Sequence, residues 1–186
     1  NSATRWEGHG GDASPRLLDK AAPSAACRPE NAGVVLAYAA MYGNTGGAVH
    51  AMADMLAGRG DRDLRLCDVS KTHYSHIIAE MFKYSHFVLA APAYNMHLYN
   101  AMDMLIRDIG ALNLQGRKGA IIGNGSWAPV AHKQMQGMLG EMKNMTVIGD
   151  PLVIISSMRE SQAAEMEALA EAVAASVAEA ENPPAP

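Results

Sequence analysis

The sequence predicts an α/β protein: an open, doubly wound parallel sheet of five strands with helices packed on both faces. Three observations predict it. Five short apolar runs recur along the chain, four of them nearly continuous, as strands buried on both faces of a parallel sheet require. Stretches with apolar residues on one helical face alternate with those runs. Polar loops follow the first, third and fourth runs, where the carboxyl ends of the strands would place a ligand. Right-handed crossovers leave few topologies for such an alternation.

In chain order, the first strand is Val34-Val35-Leu36-Ala37, and the stripe Val49, Met52, Ala53 and Leu56 follows it as a helix. Leu64-Arg65-Leu66-Cys67 alternates apolar with other residues, the pattern of an edge strand. A short helix from Ser75 to Lys83 carries Ile77, Ile78, Met81 and Phe82. Phe87-Val88-Leu89-Ala90 is the third strand, followed by the stripe Met102, Leu105, Ile106 and Ile109. Ala120-Ile121-Ile122 is the fourth, followed by Met135, Met138, Leu139 and Met142. Leu152-Val153-Ile154-Ile155 is the fifth, and Met166, Leu169, Ala170 and Val173 mark the last helix. No internal repeat is visible.

A chain of 186 residues with 49% apolar and 18% charged side chains has globular composition and room for one substantial core. The net charge of −4 argues against a nucleic-acid protein with a basic surface. No apolar run approaches the roughly 18 residues that a membrane span needs. Cys27 and Cys67 match no metal-ligand spacing and are too few for a disulfide scaffold, which points to a reducing, cytoplasmic compartment. Thirteen methionines against two phenylalanines read as methionine filling the core. The opening Asn1-Ser2-Ala3 does not resemble a signal peptide and suits a processed chain, a tag remnant or a fragment. Residues 1–32, with Pro15, Pro23 and Pro29, read as a linker or the remnant of a preceding domain, apart from a turn of helix around Leu17-Leu18. Residues 179–186 read as a flexible tail, because the prolines after Asn182 cannot continue a helix.

The loop after the first strand, Ala39-Ala40-Met41-Tyr42-Gly43-Asn44-Thr45-Gly46-Gly47, runs directly into a helix. Unpaired N–H groups and the positive end of the helix dipole converge at such a start, which suits an anion. The loop is neither a Walker A sequence nor a dinucleotide fingerprint. Its plainer reading is an ordinary helix cap at Asn44 or Thr45. His73-Tyr74-Ser75-His76 has the spacing that puts two imidazoles on one helical face. Without accompanying cysteine or carboxylate ligands, the favoured reading there is a solvated face, with no metal site.

Met41-Tyr42-Gly43-Asn44-Thr45 after a buried strand resembles the FMN phosphate loop of flavodoxins, in the version found in the flavodoxin domain of flavodiiron proteins. Asp68-Val69-Ser70-Lys71-Thr72 after the second strand is similar to a loop of that family. Pro92-Ala93-Tyr94-Asn95-Met96 falls where the family has Ser-Pro-Thr-x-Asn-Asn, and Asn124-Gly125-Ser126-Trp127 where it has Ser-Tyr-Gly-Trp. The resemblance covers about residues 33 to 178 and implies a five-stranded parallel flavodoxin-like sandwich that binds FMN. It places the phosphate on residues 41 to 45 and the isoalloxazine between the loops at 92–97 and 123–127, where Tyr94 and Trp127 would stack on the ring. This sequence departs from the family where Ala40 replaces a hydroxyl residue of the phosphate loop, where Met96 replaces an asparagine, and at Gly125 and Ser126. Loss of the hydroxyl predicts weaker FMN binding.

The resemblance implies an electron-transfer module with no catalytic residues of its own. It would take electrons from a rubredoxin-like or reductase donor and pass them to a diiron domain or protein that reduces oxygen or nitric oxide. The diiron motif of the family, H-x-E-x-D-H, is absent from this sequence. The alternative is a stand-alone FMN-dependent NAD(P)H:quinone or flavin reductase, suggested by Pro92-x-Tyr94-Asn95, although the Gly-Ser-x-Arg first loop of those enzymes is missing.

Overall fold

The computed structural model describes residues 28–60, 63–127 and 129–182. Cys27, the Leu17-Leu18 turn and most of the expected linker lie outside them. The elements run β1 (Asn31–Tyr38), α1 (Asn44–Gly58), β2 (Leu64–Asp68), α2 (Tyr74–Lys83), β3 (Tyr84–Tyr94), β4 (His97–Leu98), α3 (Asn100–Ala111), β5 (Lys118–Asn124), α4 (Ala131–Gly140), β6 (Thr146–Val147), β7 (Leu152–Ile154) and α5 (Ala163–Glu181). The folded unit is slightly longer than expected at both ends. β1 starts at Asn31, and α5 holds residues 179–181, which the sequence assigns to the tail. Among the described residues, no helix is long and apolar enough to cross a membrane.

The sheet has the order β2-β1-β3-β5-β6, parallel throughout, which is the five-position flavodoxin-like arrangement. β2 is an edge strand, as its alternating pattern predicts. The fifth position differs from the expected single strand. β6 pairs with Lys118 and Gly119 of β5, and β7 pairs with Ile122 to Asn124. Between the two pieces, Gly149 is left-handed at φ 64°, and Pro151 has no N–H to donate to a ladder. β4 is a further addition, turning back antiparallel on the end of β3.

Side chains of a strand alternate between faces, so each central strand feeds two cores. Val35, Ala37, Phe87, Leu89 and Ile121 pack with Met81 of α2, Leu105 and Ile106 of α3, and Met135 and Leu139 of α4. Val34, Leu36, Val88, Ala90 and Ile122 pack with Val49, Met52 and Leu56 of α1 and with Met166, Ala170 and Val173 of α5. The helical stripes read from the sequence are therefore the faces that cover the sheet.

At the amino ends of the strands, buried Arg117, Ser85 and His86 find their hydrogen-bond partners inside the protein. The Arg117 guanidinium, 1% exposed, donates to the carbonyls of Met81 (3.2 Å), Phe82 (2.7 Å) and Gln115 (2.8 Å). It thereby satisfies carbonyls left over at the end of α2 and compensates the negative end of that helix. His86, 2% exposed, shares hydrogen bonds with Ser85 Oγ (2.7 Å) and Ser176 Oγ (3.0 Å). Burial, reinforced by the Lys118 charge, lowers its pKa to about 4.

Two outcomes follow. Leu56→Ala, at a position with 0% exposure, is expected to lower unfolding free energy in urea by about 2–5 kcal/mol. His86 stays neutral in the folded state at pH values where the unfolded chain already binds a proton. Its contribution is intact above pH 6.5 and is lost as the pH falls from 6.5 toward 4. Urea midpoints measured across that window should fall less steeply with acid in His86→Gln than in the parent.

Candidate functional site

The carboxyl ends of β1, β3, β5 and β7 surround a cavity of about 490 Å³. Its walls are Met41, Tyr42, Asn44 and Thr45 from the first loop, Pro92, Ala93 and Tyr94 at the end of β3, Asn124, Gly125 and Ser126 at the end of β5, and Ser156 beyond β7. Three loops selected from the sequence thus meet around one space.

The first loop enters α1 through Gly43, whose φ of 87° lies in the left-handed region that a side chain disfavours. Gly43 occupies the cap position and no side chain caps the helix, so neither Asn44 nor Thr45 is the N-cap. Within the helix, Gly47 N–H is the first to reach back, to the Gly43 carbonyl at 2.9 Å. The amides of Asn44, Thr45 and Gly46 have no carbonyl one turn behind them and carry the partial positive charge of the helix start.

Asn124 joins the parts. It is 6% exposed, and its Nδ2 donates to Thr45 Oγ1 at 3.2 Å and to the Ser156 carbonyl at 3.1 Å. One amide therefore ties the start of α1 to the loop after β7. Ser126 Oγ lies 3.1 Å from Ser156 Oγ and closes the same corner. Thr45 is 3% exposed and uses its oxygen as an acceptor toward Asn124, which leaves its hydroxyl proton to be donated. On the far side of the same strand end, Gly123 allows α4 to approach closely: a Cβ there would stand 2.9 Å from the His132 nitrogen.

Four of the residues selected from the sequence do not line this space. Gly43 serves the backbone turn. Asn95 and Met96 form the tip of the β3–β4 hairpin. Trp127 is 98% exposed and stands clear of the cavity, whereas Tyr94, 52% exposed, stands in its wall. Ser156 was missed because no motif marks it, although its place after the fifth strand follows the same strand-end rule as the other loops. Ala40 lines an adjoining cavity of about 420 Å³, with Gly46, Gly47, His50, Asp68 and Lys71. A larger space of about 550 Å³ lies between α3 and the end of α4, beside Gly110, Met138 and Met142, away from the strand-end loops. His73 acts as the cap of α2, its Nδ1 accepting from the Ser75 N–H at 3.3 Å.

No protein-family model matches this sequence, and no curated protein matches it. Solved structures do. Rubredoxin oxygen:oxidoreductase from Desulfovibrio gigas aligns over 90% of this chain and 41% of its own, with a TM-score of 0.83 and 17% identity. The flavodiiron protein of Giardia intestinalis aligns over 93% of this chain and 43% of its own, with a TM-score of 0.79 and 15% identity. A flavodoxin of Streptococcus pneumoniae TIGR4 aligns over 77% of this chain and 98% of its own, with a TM-score of 0.65 and 21% identity. The chain has the flavodoxin-like fold. It spans about two fifths of the flavodiiron structures and nearly the whole of the flavodoxin.

Removing the Asn124 amide leaves a buried hydroxyl and a carbonyl without their donor. Asn124→Leu is expected to cost about 1–3 kcal/mol in urea unfolding and to speed amide exchange around Thr45 and Ser156.

Proposed function

We propose that this chain is an FMN-binding electron-transfer module. The observation that carries the reading is the uncapped start of α1, which opens into a cavity walled by Tyr94 and by Asn124 to Ser126. The fit is chemical as well as spatial. A volume of about 490 Å³ lies within the usual range for a cofactor site. The amides of residues 44 to 46 and the Thr45 hydroxyl suit a phosphate, and Tyr94 suits a flat aromatic ring. Bound FMN would supply the redox chemistry; the protein binds it, orients it and limits water around it.

In this reading the ring lies between the ends of β3 and β5, with Tyr94 rather than Trp127 against it. Tyr42, Met96, Trp127 and Ile155, all exposed, sit on loops that line or adjoin the cavity. Elsewhere among the described residues, the large exposed apolar side chains are Leu66, Met104 and Leu112. This apolar collar is where a redox partner approaches the flavin. A rubredoxin-like or reductase donor and a diiron acceptor are the partners that agree with the similarity to the flavodiiron structures.

Titration of apoprotein with FMN and riboflavin tests the reading, because riboflavin lacks the phosphate. Thr45→Val is expected to weaken FMN about tenfold to a hundredfold and to leave riboflavin nearly unchanged. Tyr94→Ala should weaken both flavins alike. A protein that binds neither flavin overturns the proposal, and rapid reduction of the FMN-loaded protein by NAD(P)H without a partner would identify a stand-alone reductase instead.

A further inference from the structure

Two consecutive left-handed residues stand beside the cavity, at the tip of the β3–β4 hairpin. Tyr94 pairs with His97, which leaves a two-residue turn, and both of its residues have positive φ: Asn95 at 49° and Met96 at 64°. That handedness matches the twist of a hairpin, and asparagine tolerates it. Methionine in the same region pays a steric cost that glycine would not. The hairpin has little of its own to offset that cost. Its pairing amounts to Ala93 with Leu98 and Tyr94 with His97, closed by one further bond from the Tyr99 N–H to the Pro92 carbonyl at 3.1 Å.

One side chain from a distant element grips this turn. Gln134 of α4 accepts the Leu98 N–H on its Oε1 at 2.6 Å and donates from its Nε2 to the Met96 carbonyl at 3.2 Å. Its amide thus does for the hairpin what the next strand of a sheet would do, supplying one acceptor and one donor to the outer edge. Leu98 is 5% exposed, so its N–H has little access to water as a substitute partner. The post that carries Gln134 is itself fixed: α4 begins against Gly123 of β5, and Met135 and Leu139 are fully buried beneath it.

We propose that Gln134 is a positioning residue for the cavity, holding the strained Asn95–Met96 turn so that Tyr94 stands in the wall. Its effect on a ligand is confined to the Tyr94 end and does not reach Thr45. The consequence for flavin rests on the function proposed above; the latch itself does not.

Gln134→Leu removes both bonds at similar bulk, and Gln134→Glu keeps only the acceptor for Leu98. In apoprotein, amide exchange of Leu98 should accelerate at least about tenfold in Gln134→Leu and stay near the parent rate in Gln134→Glu at neutral pH. FMN and riboflavin should weaken in Gln134→Leu by the same factor, about tenfold, unlike the phosphate-selective loss in Thr45→Val. Adding Met96→Gly should recover much of that loss, because glycine holds the left-handed turn unaided. Unchanged Leu98 exchange in folded Gln134→Leu overturns the proposal. So does faster exchange spread evenly over the sheet, which would make Gln134 a contributor to global stability alone. If the parent binds neither flavin, the functional reading falls while Leu98 exchange still decides the latch.

Discussion

Covering both faces of the central strands leaves this chain little room for polar chemistry. Val34 to Ala37, Val88 to Ala91 and Ala120 to Ile122 are all 0% exposed, so nothing along the middle of the sheet can meet a ligand or water. Polar groups are driven to the strand ends, and the two ends are treated differently. At the amino ends, Arg117, Ser85 and His86 close their hydrogen bonds on neighbouring carbonyls and hydroxyls. At the carboxyl ends, the first amides of α1 and the Thr45 proton remain available. One end is a sealed base and the other a receptive rim.

That rim is braced by two amides that never meet. Asn124 works from inside, between Thr45 and Ser156, and Gln134 works from outside, on the back of the hairpin that carries Tyr94. A carboxamide offers donor and acceptor without charge, so it can fix backbone next to an anion site without competing for the anion. Holding loops before a ligand arrives lowers the ordering cost of binding, and both braces rest on elements already packed in the core.

The sequence made the sheet legible because strand burial and helical stripes are local patterns. Val34 to Ala37 announces a buried strand by itself, and Met102, Leu105, Ile106 and Ile109 announce a face. The strand-end rule then pointed to the three loops around the cavity. Features that depend on distant partners were hidden. Thr146-Val147 is too short to show any period, so the split fifth strand was read as one. Asn95-Met96 lacks the glycine that usually marks a two-residue turn, and Gln134 reaches it from 38 residues away. Residue type also says nothing about which way a loop faces: Trp127 is 98% exposed, whereas Tyr94 stands in the cavity wall. His73 and His76 raised a metal reading by their spacing alone, and spacing does not show that His73 caps α2.

The broken fifth strand also bears on what the protein avoids. An open strand edge is a template that another chain can extend, and long flat edges of that kind nucleate aggregation. On the β6–β7 side the template has two rungs, an interruption at residues 148–151, and three more. A strand arriving from a neighbouring molecule loses its register at Gly149 and meets no N–H at Pro151. On the opposite border β2 is continuous over five residues, and there the half-exposed Arg65 pairs with Asp63 and Glu80 and lies over the Tyr84 ring. One border resists copying by being cut and the other by carrying charge. A receptive, partly apolar rim can therefore stay exposed without the sheet beside it seeding fibres.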